Sequence, residues 1–215
     1  MQEKDITDYF APINAVLIVI NIIVFLFVDL TYSSSNWEWL LQCGALYSPY
    51  VVEGKEYYRF FTSLFLHSGI SHLANNMLML WFIGGTLEPI IGKVRYIILY
   101  FGTGILAGIL SVSYNVFVDN VVISVGASGA VFGVVGGLVY IVLRSRGTTY
   151  SGEVNLSPRQ IILFAILSLC SGLANEGVGN VAHFGGFISG ILLIIFLYKK
   201  NGRNQLKHIC QWKNI

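Results

Sequence analysis

Six apolar stretches that contain no Asp, Glu, Lys or Arg alternate with polar segments along this chain. They cover residues 13–28, 70–87, 96–114, 121–143, 161–174 and 178–198. Because about 20 helical residues cross the roughly 30 Å hydrocarbon core of a bilayer, the pattern predicts six transmembrane helices. The fifth stretch is the shortest, and it needs extension, shielding or a locally thinner bilayer to cross.

The composition agrees with a membrane protein and excludes an ordinary water-soluble domain. Of the 215 residues, 55% are hydrophobic and only 11% are charged. The chain shows no internal repeat and no shift in composition that marks a second domain. We therefore expect an all-α polytopic membrane protein with one domain, residues 13–198, between an N-terminal segment, residues 1–12, and a basic tail, residues 199–215.

Lysine and arginine are distributed unevenly among the polar segments. All except Lys55 and Arg59 lie in the N-terminal segment, the second-to-third connection, the fourth-to-fifth connection or the tail. By the positive-inside rule both termini are cytoplasmic, and the connections 31–69, 115–120 and 175–177 face outward. The net charge of +2 thus reflects topology and indicates no nucleic-acid partner. The acidic start differs from a signal or transit peptide, so we expect the first stretch to be retained.

Ser128 lies in the uncharged run VGASGAVFGVVGG, residues 125–137. An isolated polar side chain in hydrocarbon costs on the order of 1 to several kcal/mol unless it finds a partner or water. Small residues follow it at intervals of four, at Gly129, Gly133 and Gly137, and such a stripe is typical of close helix packing. Packing alone accounts for Ser128, so the serine by itself does not indicate a nucleophile.

His183 lies in the run NVAHFGGFISG, with Gly186 and Gly190 on the same face of the predicted sixth helix. These glycines allow the backbone of another helix to come close. A single buried histidine is also compatible with a purely structural role. Its depth in the membrane decides whether it can meet Ser128.

The two residues are predicted to lie at the same depth. Ser128 precedes the basic end of its stretch, Arg144, by 16 residues, and His183 precedes Lys199 by 16 residues. Both helices run from the outer to the inner face, and a rise of about 1.5 Å per residue puts both side chains roughly 6 Å below the outer edge of the core. The sequence therefore predicts a Ser-His dyad.

Three further residues can complete such a site. His72 and Asn76 stand four residues apart on one face of the predicted second helix, and both can donate hydrogen bonds. With the backbone N–H of Ser128 they can stabilise the oxyanion of acyl transfer, although a polar clamp between helices is the alternative. Phe132 lies one turn after Ser128, so its ring can stack on His183, or it packs in the core or against lipid.

The other intramembrane protease chemistries lack their residues. A zinc protease needs H-E-x-x-H, but His67 and His72 are five residues apart with no Glu between them. The aspartates lie in polar segments or at the ends of apolar stretches, so they form neither an aspartyl dyad nor a third member of a Ser-His-Asp triad. They are Asp5, Asp8, Asp29 and Asp119. We expect neither a metal nor a cofactor.

Four motifs, taken in order, resemble the rhomboid family of intramembrane serine proteases. They are RFFTSLFLH before the second stretch, the pair His72 and Asn76, GASG around Ser128, and AHFGG followed by Gly190 around His183. The resemblance implies a six-helix rhomboid-like bundle in which Ser128 is the nucleophile and His183 the general base and acid. It also implies that His72, Asn76 and the Ser128 amide bind the oxyanion. The supporting residues of the expected site are Phe132, Gly126, Gly129, Gly186 and Gly190.

Two charged residues are similar to structural residues of the same family. Arg59, in YYRFF, and Glu88, in GGTLEPIIG, are expected to brace the first outer loop and the second-to-third connection. Tyr58 stands where the family often has Trp, and Phe132 stands where some relatives have Tyr. Neither difference removes a reacting group.

The resemblance implies an endopeptidase that cleaves single-span membrane proteins in or near their transmembrane segments, within the lipid bilayer. The alternative is a catalytically inactive rhomboid-like module that binds or dislocates membrane clients, although such relatives lack the Ser or the His that this chain keeps. A transporter fits less well, because the chain has no inverted repeat or ring of charges. We expect a prokaryotic cell membrane location with the site opening to the outer face. The sequence defines neither the substrate nor the oligomeric state.

Overall fold

The computed structural model describes residues 11–144 and 179–198, and most of them are helical. The helices are α1 (Pro12–Thr31), α2 (Trp37–Gln42), α3 (Ser48–Val52), α4 (Arg59–Thr62), α5 (Ile70–Met79), α6 (Gly85–Ile91), α7 (Lys93–Phe117), α8 (Ser128–Arg144) and α9 (Gly179–Leu197). A 3₁₀ turn, Ser63–Phe65, follows α4, and a π-helical turn, Leu80–Gly84, joins α5 to α6. Two short strands, β1 (Leu46–Tyr47) and β2 (Ile123–Ser124), pair antiparallel.

Three of the described helices are long and apolar enough to cross a membrane. They are α1, α7 and the segment Asn180–Leu197 of α9. Helix α8 is apolar but has only 17 residues, about 25 Å of helix. The second predicted span corresponds to α5, the π turn and α6, which follow one another without a break. The fifth predicted span, residues 161–174, lies outside the described residues, so the number of six spans stays a prediction.

The predicted start of the fourth span is wrong. The apolar run from residue 121 was expected to be helical, but helix α8 begins only at Ser128. Residues Ile123 and Ser124 instead pair with Tyr47 and Leu46 of the connection between α1 and α5. Branched side chains suit a strand, and Gly126, with φ of +122°, has a backbone that a continuing helix does not allow. The connection predicted at residues 115–120 is therefore longer than expected and continues up to Ser128, where α8 begins.

Helix α8 is the centre of the bundle and packs on both α7 and α9. Its residues from Gly129 to Val139 are all buried. The contact with α9 is a contact between backbones, because a Cβ atom at Gly186 would overlap the carbonyl oxygen of Gly129, and one at Gly190 that of Gly133. The glycine stripes of the two helices therefore bring their axes together, as expected of small residues in membrane helices.

Arg59 is a buried cation that holds the connection between α1 and α5 together. Its guanidinium donates to the carbonyl oxygens of Leu41 and Ala45, both at 2.8 Å, and forms an ion pair with Glu56 at 2.6 Å. It also lies 4.8 Å from the ring centre of Tyr50, a cation–π contact. Hydrogen bonds from Tyr58 and Arg59 lower the pKa of the Glu56 carboxyl. Arg59 thus braces the connection between α1 and α5, as the resemblance implied.

Glu88 is a buried side chain of α6 that contacts the start of α1. Its two carboxylate oxygens accept hydrogen bonds from the backbone N–H groups of Ile13, at 3.1 Å, and Asn14, at 2.7 Å. The first N–H groups of a helix have no acceptor within the helix, and a carboxylate also complements the positive end of the helix dipole. Glu88 therefore joins α6 to α1.

We expect Gly190→Ala to separate α8 from α9 and to lower the free energy of unfolding by about 1–3 kcal/mol, the usual cost of overpacking. The added methyl would overlap the backbone carbonyl of Gly133, which cannot move away by a change of rotamer as a side chain can. Unfolding in detergent micelles, followed by circular dichroism, measures the change. Gly102→Ala on α7 is the matched control, because its methyl meets only the end of Leu193, at 3.3 Å. Equal stability of the two variants would contradict the backbone contact.

Candidate active site

Ser128 and His183 meet at the N-terminal end of α8, where it contacts α9. Ser128 is the first residue of α8, and its Oγ lies 2.9 Å from Nε2 of His183 on α9. The pair sits directly beside the glycine contacts, since Gly129 follows the serine and Gly186 lies one turn after the histidine. Both side chains are partly exposed. The hydrogen bond that the equal depths predicted is present.

The ring of His183 is held from one side by Phe132. The two rings stack with their centres 4.6 Å apart and their planes 26° from parallel, as the one-turn spacing from Ser128 predicted. Nδ1 of His183 is buried and has no hydrogen-bond partner within the described ranges. In this part of the structure the ring is therefore oriented by stacking and by Ser128, with no carboxylate behind it.

The start of α8 supplies hydrogen-bond donors. Because the helix begins at Ser128, the N–H groups of Ser128, Gly129 and Ala130 have no acceptor within the helix, and the positive end of the helix dipole lies there. An oxygen that becomes negative beside Ser128 is thus stabilised by fixed backbone dipoles.

His72 and Asn76 of α5 reach the same place from the other side. A Cβ atom at Gly126 would lie 2.8 Å from Nε2 of His72 and 3.7 Å from Nδ2 of Asn76, so both donor-bearing groups face the backbone two residues before the serine. The Asn76 amide also donates to the carbonyl of His72, at 3.2 Å. The structure therefore brings all four predicted polar residues, Ser128, His183, His72 and Asn76, to one end of the bundle.

The connection between α1 and α5 positions this side of the site. The N–H of Gly126 donates to the carbonyl of Ser63, at 2.9 Å, in the 3₁₀ turn before α5. Together with the β1–β2 pair, this bond joins the segment before α8 to the connection between α1 and α5. Sequence reasoning missed Ser63, since a backbone carbonyl leaves no signal in the sequence.

Two side chains in contact with His72 were also missed. Ser68 Oγ lies 3.1 Å from Nδ1 of His72, and the buried ring of His67 meets the His72 ring edge to face at 5.2 Å. The spacing of four between Ser68 and His72 is the signal that could have revealed the first contact. His67 was considered only as a metal ligand, and no cluster of His, Cys, Asp or Glu that could hold a metal occurs in the described part of the chain.

We expect Gly126→Ala to displace His72 from the start of α8. The new methyl would meet the imidazole at 2.8 Å, and its φ of +122° is strained for any residue with a Cβ. The rate at which a fluorophosphonate modifies the Ser128 hydroxyl should fall, because two side chains with hydrogen-bond donors then move away from the oxygen that becomes negative beside it.

Gly92→Ala is the control for backbone strain alone. Gly92 also has a positive φ, +86°, but a methyl there meets nothing within 4 Å. That variant should lose about 1–2 kcal/mol of stability and keep the reactivity of Ser128. Equal reactivity of Ser128 in the two variants would contradict the contact between Gly126 and His72.

Comparison with known proteins finds one family. The profile of the rhomboid domain matches residues 54–200. The chain is 35% identical to Rhomboid protease GluP of Bacillus subtilis (strain 168) over 173 residues, which are 80% of this chain and 32% of that protein. It is 40% identical to RHOMBOID-like protein 1 of Arabidopsis thaliana over 161 residues, 74% of this chain and 40% of that protein.

A third relative is matched over most of its length. Putative rhomboid protease YdcA of Bacillus subtilis (strain 168) is 30% identical over 154 residues, 71% of this chain and 73% of that protein. By contrast, the chain spans only about a third of GluP and two fifths of the Arabidopsis protein. The rhomboid-domain profile matches most of the chain, and three described helices are long and apolar enough to cross a membrane. This chain is therefore an integral membrane protein that belongs to the rhomboid family.

Proposed function

We propose that this chain is an intramembrane serine endopeptidase that uses Ser128 and His183 as a catalytic dyad. The observation that carries the proposal is the 2.9 Å contact between Ser128 Oγ and His183 Nε2 at the first residue of α8. A serine is a weak nucleophile unless a base accepts its proton, and an imidazole within hydrogen-bond distance is that base. The relatives named as rhomboid proteases support the same reaction.

The first half of the reaction forms an acyl-enzyme. Ser128 Oγ attacks the scissile carbonyl carbon while its proton passes to Nε2 of the neutral His183 ring. The oxyanion that forms accepts hydrogen bonds from the Ser128 backbone N–H and from His72 and Asn76. When the C–N bond breaks, the Nε2 proton goes to the leaving amine, so that the ring is neutral again.

The second half consumes one water molecule. His183 takes a proton from water as the oxygen attacks the acyl carbon, and returns that proton to Ser128 Oγ when the ester bond breaks. Each turnover therefore hydrolyses one peptide bond and needs no metal or cofactor. Phe132 limits rotation of the imidazole through both halves by stacking on it.

The proposed setting is the outer part of a cell membrane. We propose that residues 13–198 form one six-span domain with both termini cytoplasmic, as the distribution of Lys and Arg indicates. The dyad then opens to the outer face, and its substrates are single-span membrane proteins that enter from the lipid. Residues 1–12 and 199–215 are the proposed cytoplasmic ends.

Ser128→Ala and His183→Ala should each lower cleavage of a transmembrane reporter by about 10⁴-fold or more, because nucleophile and base act as a unit. For the same reason the double variant should be no worse than either single one. The assay uses the purified chain in detergent, with circular dichroism to verify the fold. Ser111→Ala, which alters a buried serine of α7, is the control and should keep its activity.

This pair of variants also separates the protease from an inactive client-binding module. Cleavage by folded Ser128→Ala at the rate of the unaltered chain would contradict the dyad. An unaltered chain that binds reporters without cleaving them would favour the binding module.

Substrates that unwind easily near the outer face should be preferred. A stable transmembrane helix keeps its carbonyls in internal hydrogen bonds, so a peptide bond reaches Ser128 only after local unwinding. Two reporters test this requirement, one with Gly in its outer segment and one with the same segment rebuilt from Leu and Ala. We expect faster cleavage of the first at equal enzyme and detergent. Equal rates would refute the unwinding requirement and leave the dyad intact.

A further inference from the structure

The two ring nitrogens of His72 lie in different surroundings. Nδ1 is 3.1 Å from the hydroxyl oxygen of Ser68. Nε2 faces Gly126, where a Cβ atom would come within 2.8 Å. One nitrogen therefore has a hydrogen-bond partner, while the other faces the segment that leads into Ser128.

The local fold explains why Ser68 reaches the ring. Helix α5 begins at Ile70 after Gly69, whose φ is +95°, so His72 is in the first turn of the helix. Gly69 has no side chain to cap that turn. Ser68, one residue before the cap, is bonded to the imidazole of His72 instead, at a spacing of four residues.

The bond at Nδ1 decides what Nε2 can do. A neutral imidazole carries one N–H, and the hydrogen bond at one nitrogen fixes which nitrogen holds the proton. If the Ser68 hydroxyl donates to Nδ1, the proton is on Nε2, and Nε2 becomes a donor. If Nδ1 donates to Ser68, Nε2 becomes an acceptor and would repel an oxyanion.

Asn76 favours the first arrangement. Its Nδ2 carries only donors and lies 3.7 Å from the position that a Cβ at Gly126 would occupy, which the Cε1–Nε2 edge of His72 also faces. Two donors converging on one point suit an anionic oxygen, whereas an acceptor beside the amide would oppose it. The buried ring of His67, 5.2 Å from the His72 ring, limits movement of the imidazole on its other side.

We propose that Ser68 is a positioning residue that donates its hydroxyl proton to Nδ1 of His72 and thereby keeps Nε2–H directed at the oxyanion. This inference rests on the proposed protease function, in which His72 binds the oxyanion. Ser68 itself touches neither the substrate nor the reacting atoms.

Kinetics of Ser68→Ala test this role. Loss of one hydrogen bond should lower kcat about two- to tenfold and leave KM unchanged, since the bond acts on the transition state. Ser68→Thr keeps a hydroxyl and should restore kcat. Ser71→Ala, which alters an exposed serine in the same turn of α5, is the matched control and should behave like the unaltered chain.

A double-mutant cycle separates positioning from a general structural role. In a His72→Ala background, Ser68→Ala should lower kcat no further, because the group through which it acts is gone. Additive losses in kcat, or a change in KM alone, would overturn the proposal.

Nitrogen NMR of histidine-labelled protein tests the proton position without any cleavage. The chain has four histidines, and the signals of His72 are those that disappear in His72→Gln. We expect a protonated Nε2 and an unprotonated Nδ1 at neutral pH, and a mixture of tautomers in Ser68→Ala. A proton on Nδ1, or identical spectra with and without the Ser68 hydroxyl, would overturn the proposal. The same spectra can be recorded on Ser128→Ala, which cannot cleave by the proposed dyad. The proton position on His72 is thus tested separately from the protease function.

Discussion

The close approach of the α8 and α9 backbones is the constraint on which the rest of the site depends. Carbonyl oxygens of α8 at Gly129 and Gly133 occupy the space that a side chain at Gly186 or Gly190 would need. In lipid, apolar side chains gain little from association, so helices associate through van der Waals packing at small residues. The Ser128–His183 hydrogen bond is short-ranged, and separation of the helices by the width of a methyl group would break it.

The span that carries His72 is held at both of its ends. In the middle of this span, Asn14 of α1 donates to the carbonyl of Leu80 in the π turn, at 2.8 Å, and accepts from the hydroxyl of Tyr96, at 2.7 Å. At the end away from the dyad, Glu88 binds the first N–H groups of α1. At the end near the dyad, Ser63 binds the backbone of Gly126. Each of these buried polar groups therefore completes a hydrogen bond of its partner and also joins two segments. Where water is scarce, buried polar groups need such partners within the protein.

Most of the fold in the described residues could be predicted from hydrophobic pattern and glycine spacing. The failure at residues 121–127 has a physical cause. A short apolar run without charge has the same composition whether it is a buried strand or the first turns of a helix. The run forms a strand because it pairs with β1, and β1 lies far away in the sequence. The partners of Glu88 could not be predicted either. Its carboxylate oxygens accept from backbone N–H groups of α1, and no sequence motif reveals that contact.

The sequence by itself was enough to predict that Ser128, His183 and Phe132 meet. Equal offsets from basic residues predicted one depth for Ser128 and His183, and helical spacing predicted that Phe132 lies on the same face as the serine, because the rise and turn of a helix are fixed. The tertiary structure alone decided what surrounds them: the Ser63 carbonyl under Gly126, and the edge of His67 against His72. Those contacts depend on side-chain rotamers and on the path of an irregular loop. The helical or strand periodicity of the sequence predicts neither of them.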